Sequence, residues 1–287
     1  MSAYAERFVS APDGLKLFVR DYAAVGLSRG APVLCLHGLT RNSADFEAVA
    51  PRLAARGRRV LVPDMRGRGR SDRDPQPGRY RPDVYVRDVL HILDTLDVPQ
   101  AVFIGTSMGG LIAMLLASLA PERIAAAVLN DVGPVVNAAG LARIADYVGQ
   151  SGPFASWQAV TNAIRSAQGI AFPDADEDFW NVFARRTARE RPDGTIAFDY
   201  DPAIANAFST PAGPPPDLMP LFSALAVKPL LVVRGALSDI LAPEGVEAMR
   251  AVKPDLQFVE IPRVGHAPTL EEPEAASALE TFLAQIA

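Results

Sequence analysis

Gly105-Thr106-Ser107-Met108-Gly109 joins an apolar run, residues 101–104, to a helical pattern, residues 110–119. Strand, tight turn and helix in that order are the setting in which Gly-x-Ser-x-Gly presents a serine nucleophile. So sharp a turn strains the serine backbone, while the flanking glycines let helix and strand approach closely and Oγ projects from the sheet edge. The helix that starts there aims backbone N–H groups and a positive dipole end at developing negative charge.

A serine hydroxyl is a weak nucleophile and needs a general base, usually histidine. The sequence has three. His91 lies within a helical pattern beside Arg87, Asp88 and Asp94 and reads as a surface residue. His37 follows the run 33–36 in His37-Gly38-Leu39-Thr40 and reads as a loop residue, structural or on a substrate-pocket wall. His266 sits in Val264-Gly265-His266-Ala267-Pro268, beyond the last apolar run, where a base can meet Ser107 over the sheet. His266 is therefore the expected base. The third member must orient the imidazole and stabilise it when charged. Asp239, in Gly235-Ala236-Leu237-Ser238-Asp239, is the expected acid because the order Ser, Asp, His with a late acid is usual. Asp131 is the alternative, since Asn130-Asp131 ends the apolar run 124–129. Both would lie on the carboxyl rim of the strands, with Ser107.

The elements that must carry these residues alternate. Residues 15–19, 33–36, 59–62, 101–104, 124–129, 230–233 and 256–261 read as strands, and 46–55 and 83–96 as helices. Several runs are continuously apolar, as in parallel strands covered on both faces. The expected fold is α/β: a mostly parallel twisted sheet with helices on both faces. Between residues 134 and 222 strand-like runs vanish and helical patterns (141–148, 154–164, 177–189) precede a tract with Pro211, Pro214, Pro215 and Pro216. This reads as an inserted helical cap on a core formed by residues 1–133 and 223–287. Eleven of the 21 aromatics fall in the insert, so aromatic side chains must fill its own small core and can also wall a pocket. Trp157 and Trp180 are the pocket candidates, with Phe154, Phe179 and Phe183 beside them.

Composition excludes several classes. Residues 98–121 contain no charged side chain and resemble a membrane span, but a glycine cluster at the centre and a proline near each end divide the stretch into strand, turn and helix. A net charge of −5 argues against a nucleic-acid partner. One cysteine, Cys35, cannot form an internal disulfide, and as a mid-strand residue it reads as a buried inert thiol. The three histidines are scattered, without metal-ligand spacing, and the N-terminus lacks an export signal's basic and apolar regions. The expectation is a cytoplasmic protein acting on a small molecule, with no cofactor, metal, nucleic acid or membrane partner.

The chain resembles the α/β-hydrolase family over nearly its whole length. The resemblance rests on His37-Gly38, Pro63-Asp64-Met65-Arg66-Gly67-Arg68-Gly69-Arg70-Ser71, the Ser107 turn, and Asp239 and His266 in order. It implies that the amides after His-Gly and after the nucleophile, Leu39 and Met108, hold the oxyanion. The arginine-rich segment lacks the third glycine of a dinucleotide fingerprint and, by the resemblance, is a structural loop. Relatives that open epoxides or remove halide carry aspartate at the position of Ser107, so the resemblance points to the serine branch with a helical cap. The expected reaction is hydrolysis of a small to medium hydrophobic ester through an acyl-serine. C–C hydrolases of ring-cleavage products, enol-lactonases and perhydrolases use the same three residues, and a ligand sensor could retain the fold.

Overall fold

The continuously apolar runs become strands of one sheet in a computed structural model that describes residues 4–28, 30–150, 152–208 and 217–287. β1 (Ala5–Ser10) and β2 (Lys16–Tyr22) are followed by β3 (Val33–Leu36), α1 (Val49–Ala55), β4 (Val60–Pro63), α2 (Pro82–Thr95), β5 (Ala101–Thr106), α3 (Met108–Leu119) and β6 (Ile124–Asn130). Next come α4 (Ala138–Tyr147), α5 (Trp157–Gln168), α6 (Glu177–Thr187), β7 (Ala188–Glu190), β8 (Ile196–Phe198) and α7 (Met219–Leu225). The chain returns to the sheet with β9 (Leu230–Gly235), α8 (Pro243–Val252), β10 (Gln257–Ile261) and α9 (Pro273–Ala284).

The strand order is β1-β2-β4-β3-β5-β6-β9-β10. β2 is antiparallel to β1 and β4, and every other pairing in this sheet is parallel. Successive side chains point to opposite faces, and both faces are covered. Leu34 and Leu36 of β3 pack with Val86, Val89 and Ile92 of α2 and Ile112 of α3. Val33 and Cys35 face the other way, with Val49 and Leu53 of α1 and Leu279 and Phe282 of α9. This two-sided burial is why the strands lack a polar alternation in sequence.

Residues 98–121 divide into β5 and α3, and among the described residues no helix is long and apolar enough to cross a membrane. β1 escaped the sequence reading because five of its six residues are exposed and it offers no apolar run. Among the described residues between β6 and β9 no strand joins the main sheet, but the short antiparallel pair β7–β8 forms, against the expectation of helices alone. Three residues per strand are too few for a periodic signal. Val160, Ile164, Phe172, Trp180, Ala184 and Ile196 give this insert a small core of its own. The prolines 211 and 214–216 lie outside the described residues. α7, which follows them, buries Phe222 and Leu225 in the core beside α3.

Candidate active site

The turn after β5 is built by close approach. A Cβ on Gly109 would lie 2.2 Å from the Leu36 carbonyl oxygen, and one on Gly105 would lie 2.4 Å from the Gly109 carbonyl carbon. Only glycine lets α3 start this near the sheet. Between them Ser107 has φ 51° and ψ −113°, in the left-handed half of the map, which costs of order 1–3 kcal/mol in an L-residue. Its backbone is pinned by bonds from Ser107 N to Asn130 O (3.0 Å) and from Gly110 N to Ser107 O (2.9 Å).

The strained serine hydroxyl donates to His266 Nε2 at 2.9 Å. On the far side of the ring His266 Nδ1–H donates to Asp131 Oδ2 at 2.7 Å. The imidazole is 8% exposed and the Asp131 side chain fully buried. Asp131 extends β6 by one residue and turns at φ 56°, its N–H donating to Val233 O of β9 at 2.8 Å. Its Oδ1 accepts from Gly235 N–H at 2.9 Å, and its Oδ2 also accepts from Ser238 Oγ–H at 2.5 Å. Three donors converge on a group that, ionised, can only accept.

Asp239, expected in this position, is not there. The loop after β9 turns the Ser238 hydroxyl toward Asp131, where Oγ also accepts the N–H groups of Ile240 and Leu241 at 3.1 Å. The next side chain therefore points away, and Asp239 forms a two-point bond with Arg143 of α4, Nε to Oδ2 at 2.5 Å and Nη2 to Oδ1 at 2.8 Å. That guanidinium holds the Asp239 carboxyl below the usual carboxylate range. Sequence reasoning missed Ser238, which gave no signal beyond its place beside Asp239. Asn130 was missed likewise: its Nδ2 donates to Pro268 O at 2.8 Å and to Thr106 Oγ1 at 3.0 Å, tying the histidine loop to the ends of β5 and β6.

The loop after β3 passes beside Ser107, with a Cβ on Gly38 reaching within 3.9 Å of Ser107 Cβ. Leu39 belongs to this loop and Met108 opens α3. Neither amide donates to a protein acceptor among the described residues. Two free N–H groups beside a serine hydroxyl are suited to bind an oxyanion.

A cavity of about 370 Å³ opens over Ser107 and His266. Gly38, Leu39 and Arg41 line its core side, and Ile144, Tyr147, Phe172, Phe179, Val182 and Phe183 form an apolar wall from the insert. Helical spacing places Phe179, Val182, Phe183 and Arg186 on one face of α6. Trp180 falls to the side of that face, buried against Phe179 and Phe172 at ring separations of 5.1 and 6.2 Å. It therefore backs the wall instead of lining the cavity. Trp157 lies outside as well, its ring covered by Arg185 at 3.7 Å, and Phe154 pairs with Phe198 at 5.1 Å. His37 also stands outside the cavity. Its Nε2 accepts the Met65 N–H at 3.0 Å and its Nδ1–H donates to Gly38 O at 2.7 Å. Burial pushes its pKa down to about 4, so a neutral ring joins the loops after β3 and β4.

Two pairs of opposite charges line the cavity, Arg41 with Asp45 and Arg186 with Glu271. Arg41 Nε lies 3.0 Å from both oxygens of Asp45 while its guanidinium sits 3.8 Å from the Phe183 ring centre, and Arg186 Nη1 lies 2.6 Å from Glu271 Oε1. Arg66 is buried among Asp88, Asp74 and Asp13, a structural ion cluster. Cys35 is fully buried, and burial pushes its thiol pKa up. No group of His, Cys, Asp and Glu among the described residues is placed to hold a metal ion.

The model of the α/β hydrolase fold family matches residues 31–273. The 3-hydroxybutyrate-oligomer hydrolase of Cupriavidus necator is 36% identical over 249 residues, 84% of this chain and 84% of that one. The 2-(acetamidomethylene)succinate hydrolase of Mesorhizobium japonicum is 26% identical over 245 residues, 85% of this chain and 84% of that one. The crystal structure of an α/β hydrolase from Novosphingobium aromaticivorans matches with a TM-score of 0.93 and 46% identity over the full length of both chains.

Proposed function

The chain belongs to the α/β-hydrolase fold family, and from that premise we propose that it is a serine hydrolase that cleaves a small to medium, hydrophobic ester through an acyl-serine intermediate. The observation that carries this reading is the unbroken line from buried Asp131 through His266 to Ser107, which reaches the floor of the cavity with links of 2.7 and 2.9 Å. Aromatic and aliphatic side chains on the insert side of that cavity favour an apolar acyl or alkyl group. The Cupriavidus relative supports an ester, because 3-hydroxybutyrate units are joined through ester bonds.

In this reading Ser107 Oγ attacks the carbonyl carbon as its proton passes to His266 Nε2. Asp131 stabilises the imidazolium through Nδ1–H, and the Leu39 and Met108 amides receive the carbonyl oxygen as it becomes an oxyanion. Collapse breaks the bond to the leaving oxygen, which takes the proton from His266 and departs as the alcohol. Water then gives a proton to His266 and attacks the acyl-serine, and the acid leaves as Ser107 recovers its proton.

Ser107→Ala tests this. We expect hydrolysis of 4-nitrophenyl butyrate to fall by about 10⁶-fold and fluorophosphonate labelling to vanish. Undiminished hydrolysis in the variant would refute the serine mechanism. Wild-type turnover of a dienone ring-fission product, with none of the ester, would move the assignment to a C–C hydrolase. Stoichiometric acylation without turnover would indicate a sensor.

A further inference from the structure

Arg68 is one of the largest fully buried side chains in the molecule, with 1% of its surface exposed. Its neighbour Arg66 sits among three carboxylates. Arg68 has none: among the described residues no carboxylate oxygen lies within 4.0 Å of it. Its partners are neutral. Nε donates to Leu39 O at 2.9 Å, Nη1 donates to Arg66 O and to Tyr85 Oη, both at 2.8 Å, and Nη2 lies 3.6 Å from Met108 Sδ. The guanidinium carbon is 4.9 Å from the Tyr85 ring centre, a cation–π contact.

Burying a cation without a counter-anion beside it is costly, and a charge held that way is available to an anion that binds next to it. The two residues Arg68 touches on the site side, Leu39 and Met108, are the two whose amides are free beside Ser107. An oxyanion held there is the anion this charge lacks.

We propose that Arg68 is a positioning residue for the oxyanion cradle: its guanidinium holds the Leu39 carbonyl and the Met108 side chain in place and supplies a preorganised positive charge beside the two residues that offer the amides. This rests on the serine-hydrolase reading of the same site. By gripping the Leu39 carbonyl, Arg68 restrains the loop after β3 so that the Leu39 N–H stays turned toward the nucleophile. Its charge acts only on the state in which the carbonyl oxygen becomes negative. Removing it should therefore slow the chemical step and spare ground-state binding.

The test compares wild type with Arg68→Met, which keeps the volume and removes the charge, and with Arg68→Lys, which keeps the charge but cannot span three acceptors. With 4-nitrophenyl butyrate, Arg68→Met should lower kcat by about 10²-fold while KM changes by less than about twofold. Its inhibition constant for phenylboronic acid, which adds Ser107 Oγ to form a tetrahedral anion, should rise by a similar factor. Arg68→Lys should recover part of both losses. A folded Arg68→Met with wild-type kcat and boronate affinity overturns the proposal, as does a loss confined to KM. Should Arg68→Met fail to fold, Tyr85→Phe removes one tie at nearly constant volume. It should then lower kcat and boronate affinity together, by about threefold or more, and an unchanged boronate affinity overturns the proposal equally. Wild type serves as the control for the premise: if it neither binds the boronate nor labels with fluorophosphonate, the serine mechanism fails, whatever Arg68 does.

Discussion

The loops that leave β6 and β9 end neighbouring parallel strands, and each presents an aspartate to the same rim. Asp131, the first residue past β6, is fully buried and receives three donors, one of them His266. Asp239, four residues past β9, is one-third exposed and bound by an arginine of the insert. The contrast teaches that position at a strand end does not by itself make a carboxylate an acid for the imidazole. The direction of the loop decides, and here the last residue of β9, Gly235, contributes a backbone N–H and the loop after it a hydroxyl, Ser238, to the carboxylate of its neighbour.

Asparagine at each aspartate would break this contrast most sharply. Asp131→Asn keeps the shape but favours the wrong imidazole tautomer, so kcat for ester hydrolysis should fall by about 10⁴-fold. Asp239→Asn should leave kcat within about threefold of wild type, since the Asp239 carboxylate is bound by Arg143 and makes no hydrogen bond to His266 or Ser107. Initial rates normalised to fluorophosphonate-titrated sites decide it. The reverse ranking would return the acid to the loop after β9.

Ser238→Ala sharpens the contrast at a smaller scale. It removes one of two hydrogens shared by Asp131 Oδ2, a bond to a charged group worth about 1.5–3 kcal/mol. The imidazole would lose some orientation and Asp131 some stabilisation, and we expect kcat to drop by about tenfold with KM unchanged. Ser238→Thr, which retains a hydroxyl, should recover part of the loss. Equal kcat in alanine variant and wild type would show that Gly235 and His266 suffice to hold the carboxylate.

What could be read from the sequence and what could not follow the same physics. Strands buried on both faces are continuous apolar runs, so β3, β5, β6 and β9 were visible, and with them the turn that carries Ser107. His266 was visible because only one of three histidines stood in a glycine-flanked loop past the last strand, and the structure brings it to Ser107. Its carboxylate partner was not, because chain order carries no information about which way a side chain leaves a loop. Trp180 illustrates the same gap: its type suits a pocket wall, yet a step of one residue along α6 turns it from the cavity face that holds Phe179 to the insert's own core. Arg68 was visible only as part of an arginine-rich loop, since charge reads as surface until burial is known.

The smallest effect concerns what Asp239 does instead. Its two-point bond with Arg143 ties the loop after β9 to α4, at side chains 33% and 22% exposed, so solvent screening keeps its contribution under about 1 kcal/mol. The bond from Arg143 lowers the carboxyl pKa below its ordinary 3.8 in the folded chain. Above pH 3.8 the group is ionised in both folded and unfolded chains and the stabilisation is fully present. As pH falls below 3.8 the unfolded chain takes up the proton first, and the stabilisation is lost by the time pH passes the lower folded value. Asp239→Asn should therefore melt slightly below wild type at neutral pH, and the gap should close in acid as both proteins lose stability. Asp131→Asn and wild type give the matching kinetic pair. If Asp239→Asn instead shows an unchanged melting temperature at every pH, the Arg143 bond contributes nothing measurable and the loop after β9 is held by Ser238 and the backbone alone.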